Sequence, residues 1–261
     1  MSDTHAERVR EAFSAQAGSF EDGRLNGVFT DESSWLFERL ERGPEDLLLD
    51  VAAGTGHAAR SLASDVRVAV AVDVTPAMLA AGQAACAAGG PENVLFVPGD
   101  AAALPFLDAS FDIVLTRFAL HHIEDPGAVL REMARCARPG GRVALGDLVA
   151  VEDRLPATSQ NRLERLRDPS HTRQLSAAEL EELCRDAGLE ATSSEVRAID
   201  LPLARWLEQA QTPEDVGARI SAELRAELDG GEETGFEPHL LDGRLWFRQR
   251  WASLIARRPP A

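Results

Sequence analysis

The chain contains no lysine and no tyrosine, so all 27 of its basic side chains are arginine. Together with abundant alanine this reads as the coding bias of a GC-rich genome and carries no chemistry. Basic charge as a whole is scarce: 43 acidic residues leave a formal net charge of −16. Binding along nucleic-acid phosphates needs clustered positive charge, and docking on anionic lipid needs the same, so both partners are excluded. Cysteine is sparse. Cys86, Cys136 and Cys184 are far apart and form no C-x-x-C pair, which points to buried free thiols in a reducing cytosol rather than a metal site or a disulfide framework. Long hydrophobic runs are missing too. The most apolar stretch, Val66 to Val74, is far too short to span a bilayer. The opening MSDTHAERVREAF has no apolar h-region of a secretion signal. These absences predict a soluble, cytoplasmic protein; between monomer and homodimer the sequence does not choose.

What is present is an ordinary globular balance, 44 % hydrophobic and 27 % charged over 261 residues, enough for one core domain with a small cap. Residues 1–45 read as a helical cap, with Val9, Phe13 and Phe20 on one stripe and Trp35, Leu36 and Leu40 on another. From Leu47 the period changes. LLLDVA, VRVAVAVD (66–73), VLFVPGD (94–100), FDIVLTRF (111–118) and RVALGDLV (142–149) read as strands, and helical segments separate them. Thr75-Pro76 and Asp125-Pro126 are cap-plus-proline helix starts. Residues 46–150 are therefore a Rossmann-like core. Residues 151–187 read as a helical lid, and 188–261 as two further strands (191–201 and 245–258) around a helical insertion over 203–228. The expected fold is α/β and doubly wound, a mostly parallel seven-stranded sheet with a helical cap and lid insertions. Ligands of such sheets sit at the carboxyl ends of the strands.

The sequence Gly54-Thr55-Gly56-His57-Ala58-Ala59 fits the relaxed dinucleotide fingerprint G-x-G-x-x-A, with Asp73 where an acid would hold a ribose. A nicotinamide oxidoreductase is one reading. Asp50 argues for another. At the end of the first strand, four residues before Gly54, its carboxylate is expected to point into the cradle, where it would repel a pyrophosphate and attract a cation. A ligand with an ammonium, a sulfonium and a ribose but no phosphate, S-adenosylmethionine, matches that charge. Asp73 can accept from both ribose hydroxyls. Gly99-Asp100-Ala101 offers an acceptor for an adenine amino group, and Gly54 and Gly56 allow close backbone approach.

The stretches LLLDVAAGTGHAARSLA, VAVDVTPAML, VPGDAAALPF and FDIVLTRFALHHIEDPGAVLREMARCARPGGRVALGDL resemble the class I S-adenosylmethionine-dependent methyltransferases, of the small-molecule type found in ubiquinone and menaquinone biosynthesis. The likeness covers about residues 46–150. The family usually has glycine where this chain has Ala52. The resemblance implies that S-adenosylmethionine lies along Asp50, Ala52, Gly54, Gly56, Asp73, Val74, Met78, Gly99, Asp100, Ala101 and Arg117. It also implies that AFSAQAGSF (12–20) folds over the cofactor, bringing Phe20 to it and Phe13 toward the acceptor.

Transfer of a sulfonium methyl needs alignment and exclusion of water, and a base only if the acceptor must lose a proton. His121 and His122 are the candidates for that base, one of them alternatively packing against the sheet. Arg117 contacts the cofactor or an acidic acceptor, or else pairs with a surface carboxylate. His171 and Arg167 in the lid, and Trp206 in the late insertion, are candidates for the acceptor side; a salt-bridged helix face and core packing are the alternatives. No metal is expected. A cofactor-binding cyclase on the same fold is a third reading.

Overall fold

A computed structural model describes residues 4–18, 20 and 34–260. The parts of the expected cap that fall on residues 1–3, 19 and 21–33 lie outside the described residues. What is described of the cap is helix α1 (His5–Gln16), opened by a Thr4/Glu7 capping box, and a 3₁₀ turn at Ser34–Phe37 that buries Trp35, Leu36 and Phe37.

The sheet follows from runs of small and β-branched residues. Strands β1 (Leu47–Val51), β2 (Val68–Asp73), β3 (Val94–Pro98) and β4 (Phe111–Arg117) pair in parallel, and β4 pairs in parallel with β5 (Ala137–Val149). Helices α2 (His57–Leu62), α3 (Pro76–Ala87) and α4 (Pro126–Cys136) are the crossovers that such parallel pairing requires. Beyond β5 the chain supplies α5 (Arg154–Arg167), α6 (Ala177–Asp186), β6 (Glu190–Pro202), α7 (Leu203–Gln209), α8 (Glu214–Leu228), β7 (His239–Leu241) and β8 (Arg244–Arg257). The strand order is β3-β2-β1-β4-β5-β8-β6, with β8 antiparallel to both neighbours. The order reverses between β1 and β4, which sets a crevice at their carboxyl ends.

The doubly wound, mostly parallel sheet agrees with the sequence reading, but it has eight strands rather than seven. Strand β7 forms a short hairpin with β8. Strand β5 starts at Ala137, five residues before the expected Arg142, and runs through Pro139-Gly140-Gly141 beside a register shift between Phe111 and Ile113. The insertion over 203–228 is two helices broken at Thr212-Pro213. Asp125 caps α4 through Ala128 N–H (2.9 Å), whereas the Thr75 side chain makes no capping bond on α3; Thr75 N–H donates instead to Asp73 Oδ1 (2.7 Å).

Apolar side chains fill both faces of the sheet. One layer holds Val51, Val72, Val114, Leu130, Met133 and Leu180, the other Leu36, Leu48, Ala59, Ile113 and Trp251. A third cluster, around Leu163, Trp206, Ile220, Phe236 and Phe247, joins α5, α7 and α8 to the β7–β8 hairpin. All three cysteines are free; Cys136 and Cys184 are buried, but Cys86 only partly. No helix of the described residues is long and apolar enough to cross a membrane.

Candidate active site

A cavity of about 230 Å³ opens where β1, β2, β3 and β4 end, and α1 covers it. One end is built from loops that leave the strands. After β1 the backbone turns left-handed at Ala52 (φ 52°) and again at Gly54 (φ 57°), a conformation that costs an alanine about 1–2 kcal/mol and glycine almost nothing. A Cβ on Gly54 would stand 3.1 Å from Met78 Cε, and one on Gly99 would stand 2.8 Å from Val72 Cγ2, so both glycines are needed for close approach. Gly54 N–H donates to Asp73 Oδ2 (2.8 Å), which fixes the carboxylate at the rim. Burial raises the Asp73 pKa, although the bonds from Thr75 and Gly54 oppose the shift. Ala52, Gly54, Asp73, Val74, Met78, Gly99, Asp100, Ala101, Arg117, Phe13 and Phe20 all line the cavity.

Asp50 does not. Its Oδ2 accepts from Ala59 N–H (2.9 Å) in the first turn of α2, where orphan N–H groups draw a carboxylate, and the residue is buried off the cavity wall. The expected repulsion of a pyrophosphate by Asp50 therefore fails. Burial pushes its pKa up to about 7, against the Ala59 bond and the Arg117 charge, and Oδ1 has no partner among the described residues. Gly56 is off the cavity as well. It precedes α2 at φ 69°, where a Cβ would meet Phe96 Cε1 at 2.9 Å; its role is packing of the loop on the sheet.

The other end is polar and buried. The turn after β4 carries His121 and His122, and both line the cavity. His121 Nδ1–H donates to Asp147 Oδ1 on β5 (2.5 Å), because an ionised carboxylate can only accept. Leu120 N–H and Leu148 N–H, at 2.7 Å each, hold the same carboxylate. Burial alone would lower the His121 pKa, but Asp147, with Glu164 and Asp168, raises it above its ordinary value. His122 moves the other way, because burial and the His121 charge both disfavour its protonation. The loop after α5 is stapled on this turn: Thr172 donates through N–H and Oγ1 to the His121 carbonyl (2.8 Å each). Ser170 Oγ lies 3.0 Å from His122 Nδ1.

Three acceptor-side candidates fare differently. Arg167 lines the cavity with its guanidinium engaged, donating to Trp206 O (2.9 Å) and Gln209 Oε1 (3.1 Å) beside Glu164. Trp206 does not line it; the ring packs on Phe236 and Phe247 at 5.4 and 5.0 Å, as core. His171 also lies behind the wall, 5.4 Å from the His121 ring, and burial holds it neutral. Among the described residues no group of three or more His, Cys, Asp or Glu could hold a metal ion. The sequence reading missed Asp147, Asp168, Ser170, Phe118 and Gln249. An acid inside the apolar strand ALGDLV was a legible signal for Asp147. The Asp168-Pro169-Ser170-His171 break was visible, but not its return onto the histidine turn.

Residues 49–145 match a family model described as a methyltransferase domain. The chain is 32% identical over 224 residues to the uncharacterised methyltransferase YcgJ of Bacillus subtilis, covering 85% of this chain and 87% of that one. It belongs to the class I S-adenosylmethionine-dependent methyltransferases. The crystal structure of YcgJ superposes on this methyltransferase with a TM-score of 0.80 at 30% identity, over 87% of this chain and 97% of that one. A demethylmenaquinone methyltransferase of Mycolicibacterium vanbaalenii is 42% identical over 121 residues, 46% of this chain and 50% of that protein. Membership sets aside the dinucleotide reading of the glycine loop. The site of this methyltransferase fits its cofactor on its own observations: a cradle that a Cβ at Gly54 or Gly99 would crowd, a buried carboxylate at Asp73, and a cavity continuous with the histidine turn.

Proposed function

We propose that this methyltransferase methylates a small-molecule acceptor at a group that gives up a proton, with His121 as the base. The carrying observation is His121 on the cavity wall, held from behind by the buried Asp147. Asp147 accepts from Nδ1–H, so in the neutral ring the lone pair is at Nε2, and the two Leu backbone bonds keep the carboxylate from turning. A base so placed accounts for about 10²–10⁴-fold in rate. Asp73 would accept from the ribose hydroxyls of S-adenosylmethionine, Gly99-Asp100-Ala101 would border the adenine, and Ala52 to Gly54 would pass the methionine moiety. Bound there, the cofactor supplies an electrophilic methyl on a leaving group that needs no activation. Phe13, Phe20 and Phe118 exclude water from the space between. The demethylmenaquinone relative, by its name a small-molecule enzyme, supports an acceptor of that kind.

The reading predicts that labelled methyl passes from S-adenosylmethionine to a small acceptor and leaves S-adenosylhomocysteine. Replacing Asp73 with Ala removes two charge-assisted hydrogen bonds, each worth about 1.5–3 kcal/mol. Calorimetry should show S-adenosylhomocysteine binding weakened at least ~10-fold; unchanged affinity would remove Asp73 from the ribose site.

A further inference from the structure

The histidine end of the cavity is an array of hydrogen-bond acceptors, and Ser170 makes it so. Asp168 Oδ1 receives both Ser170 N–H (2.9 Å) and Ser170 Oγ–H (2.6 Å). The hydroxyl has one proton, and it goes to the carboxylate. The contact between Ser170 Oγ and His122 Nδ1 therefore runs from ring N–H to oxygen, which leaves the His122 lone pair at Nε2. Asp147 sets the same tautomer on His121. Among the described residues, His121 Nε2, His122 Nε2 and Asp168 Oδ2 have no hydrogen-bond partner, and none of the three is a sealed, unsatisfied atom. All three residues line the cavity. Two neighbouring donors are spent elsewhere. Arg167 holds Trp206 O, Gln209 and Glu164, and Gln249 Nε2 donates to Glu164 (3.3 Å). The order acid–hydroxyl–imidazole is not that of a nucleophilic triad, in which the imidazole stands in the middle. Ser170 is 1 % exposed and off the cavity, so it is a positioning residue.

At a pH above the raised His121 pKa, where that ring is neutral, Nε2 of both histidines and Asp168 Oδ2 are acceptors and need donors on the ligand, because a buried polar group left unpaired costs about 1–3 kcal/mol. The His121 and His122 rings are 4.2 Å apart, tilted by 46°, a spacing suited to donors on adjacent atoms. Phe13 stands edge-on to His122 at 4.9 Å, and Phe118 and Leu148 add apolar wall. We propose that this end of the cavity is a two-donor subsite for a small apolar ring with hydroxyls on adjacent carbons, a catechol-type diol. One hydroxyl meets His121 Nε2, and the other meets His122 Nε2 and Asp168 Oδ2. The identity of the reacting hydroxyl rests on the methyl-transfer reading above; binding of the diol does not.

The test is calorimetry on the full chain saturated with S-adenosylhomocysteine, at a pH above the His121 titration so that the ring is neutral, using three neutral probes: 4-methylcatechol, 4-methylphenol and 2-methoxy-4-methylphenol. The diol should bind at least ~10-fold tighter than either of the others. In Asp168→Asn the amide oxygen keeps both Ser170 donors, and its nitrogen replaces Oδ2, turning an acceptor into a donor. The preference for the diol over the methoxy probe should then fall at least ~10-fold. Nitrogen-15 spectra should show His122 as the Nδ1–H tautomer, mixed in Ser170→Ala and restored in Ser170→Thr, so the inference holds a readout even if Asp168→Asn does not fold. Equal binding of the three probes, a diol preference that survives in folded Asp168→Asn, or an Nε2–H tautomer at His122 overturns it. Diol binding with this preference but no transfer of labelled methyl keeps the subsite and sinks the methyl-transfer reading. Equal methylation of 4-methylphenol and 4-methylcatechol does the reverse.

Discussion

Asp50, the residue before the last of β1, has one oxygen on Ala59 N–H and the other without a partner among the described residues. Its pKa of about 7 lies above the unfolded value near 3.9. Between about pH 4 and pH 7 the folded state thus binds a proton that the unfolded state has lost, so Asp50 makes stability fall as pH rises through that window. The full shift corresponds to at most about 4 kcal/mol. Asp50→Asn has no such proton to lose. Urea unfolding at pH 5 and pH 8 should show the variant gaining on the parent at the higher pH; an equal difference at both would refute the buried charge. The His121 shift has the same direction in a base. Its stabilising contribution is complete below about pH 6.5 and is lost as pH rises through the higher folded pKa. An NMR titration should place the His121 ring above 6.5, and in Asp147→Asn below it, since burial then acts with less opposition; a ring titrating equally in both would discard the dyad.

Helix α3 shows what an element contributes that no single residue announces. A Cβ at Gly82 would come within 2.2 Å of Thr55 O and 2.5 Å of Phe96 Cε1. The helix therefore lies on the backbone of the glycine loop at the one position where a side chain is missing, and Met78, one turn earlier, reaches the Gly54 wall. Alanine gains about 1 kcal/mol of helix propensity over glycine, but overpacking against backbone costs about 1–3 kcal/mol. Gly82→Ala should lower the urea midpoint and weaken S-adenosylhomocysteine binding together, whereas a stabilised variant would mean that α3 stands off the loop. At this scale the first four strands were legible, because runs such as LLLDV and VAVAVD are apolar on both faces and carry an acid at or next to the carboxyl end. The eighth strand was not, since β7 pairs with β8 through only three residues and their local pattern is that of a loop. Nor was the start of β5, where Pro139-Gly140-Gly141 carries the signature of a break and tertiary pairing overrides it. The direction of Asp50 was illegible for a related reason: strand alternation gives a face, but the N–H groups of α2 decide where the carboxylate goes. Arg167 in the lid and Trp206 in the late insertion both sit in helical stretches whose sequence does not say which faces the cavity, and only the third apolar cluster separates core from cavity wall.

Across the whole molecule, stability is distributed unevenly, and the uneven part covers the site. Strands β1, β4 and β5 are buried in both apolar layers, with Leu48, Leu49, Ile113, Val114 and Val143 fully enclosed. Helix α1 contains no buried residue. Its capping box is local. Its long-range ties include His5 Nε2–H to the His122 carbonyl (2.7 Å) and Phe13 against the His122 ring. An element with little apolar burial opens at a small fraction of the global free energy. Yet Val9, Phe13 and Gln16 of α1 line the cavity, so a ligand that fills it binds the docked helix better than the open one. At a ligand concentration of about 100 times Kd, binding restricted to the docked form adds up to about 2.7 kcal/mol, or roughly 100-fold protection. Hydrogen exchange on the free protein should therefore find the α1 amides much faster than those of β4. Saturating S-adenosylhomocysteine should slow α1 by ten- to a hundredfold while leaving the slowest β4 amides limited by global unfolding. If α1 exchanges as slowly as β4 without ligand, the helix is part of the core; if its rate ignores the ligand, it does not close over the site.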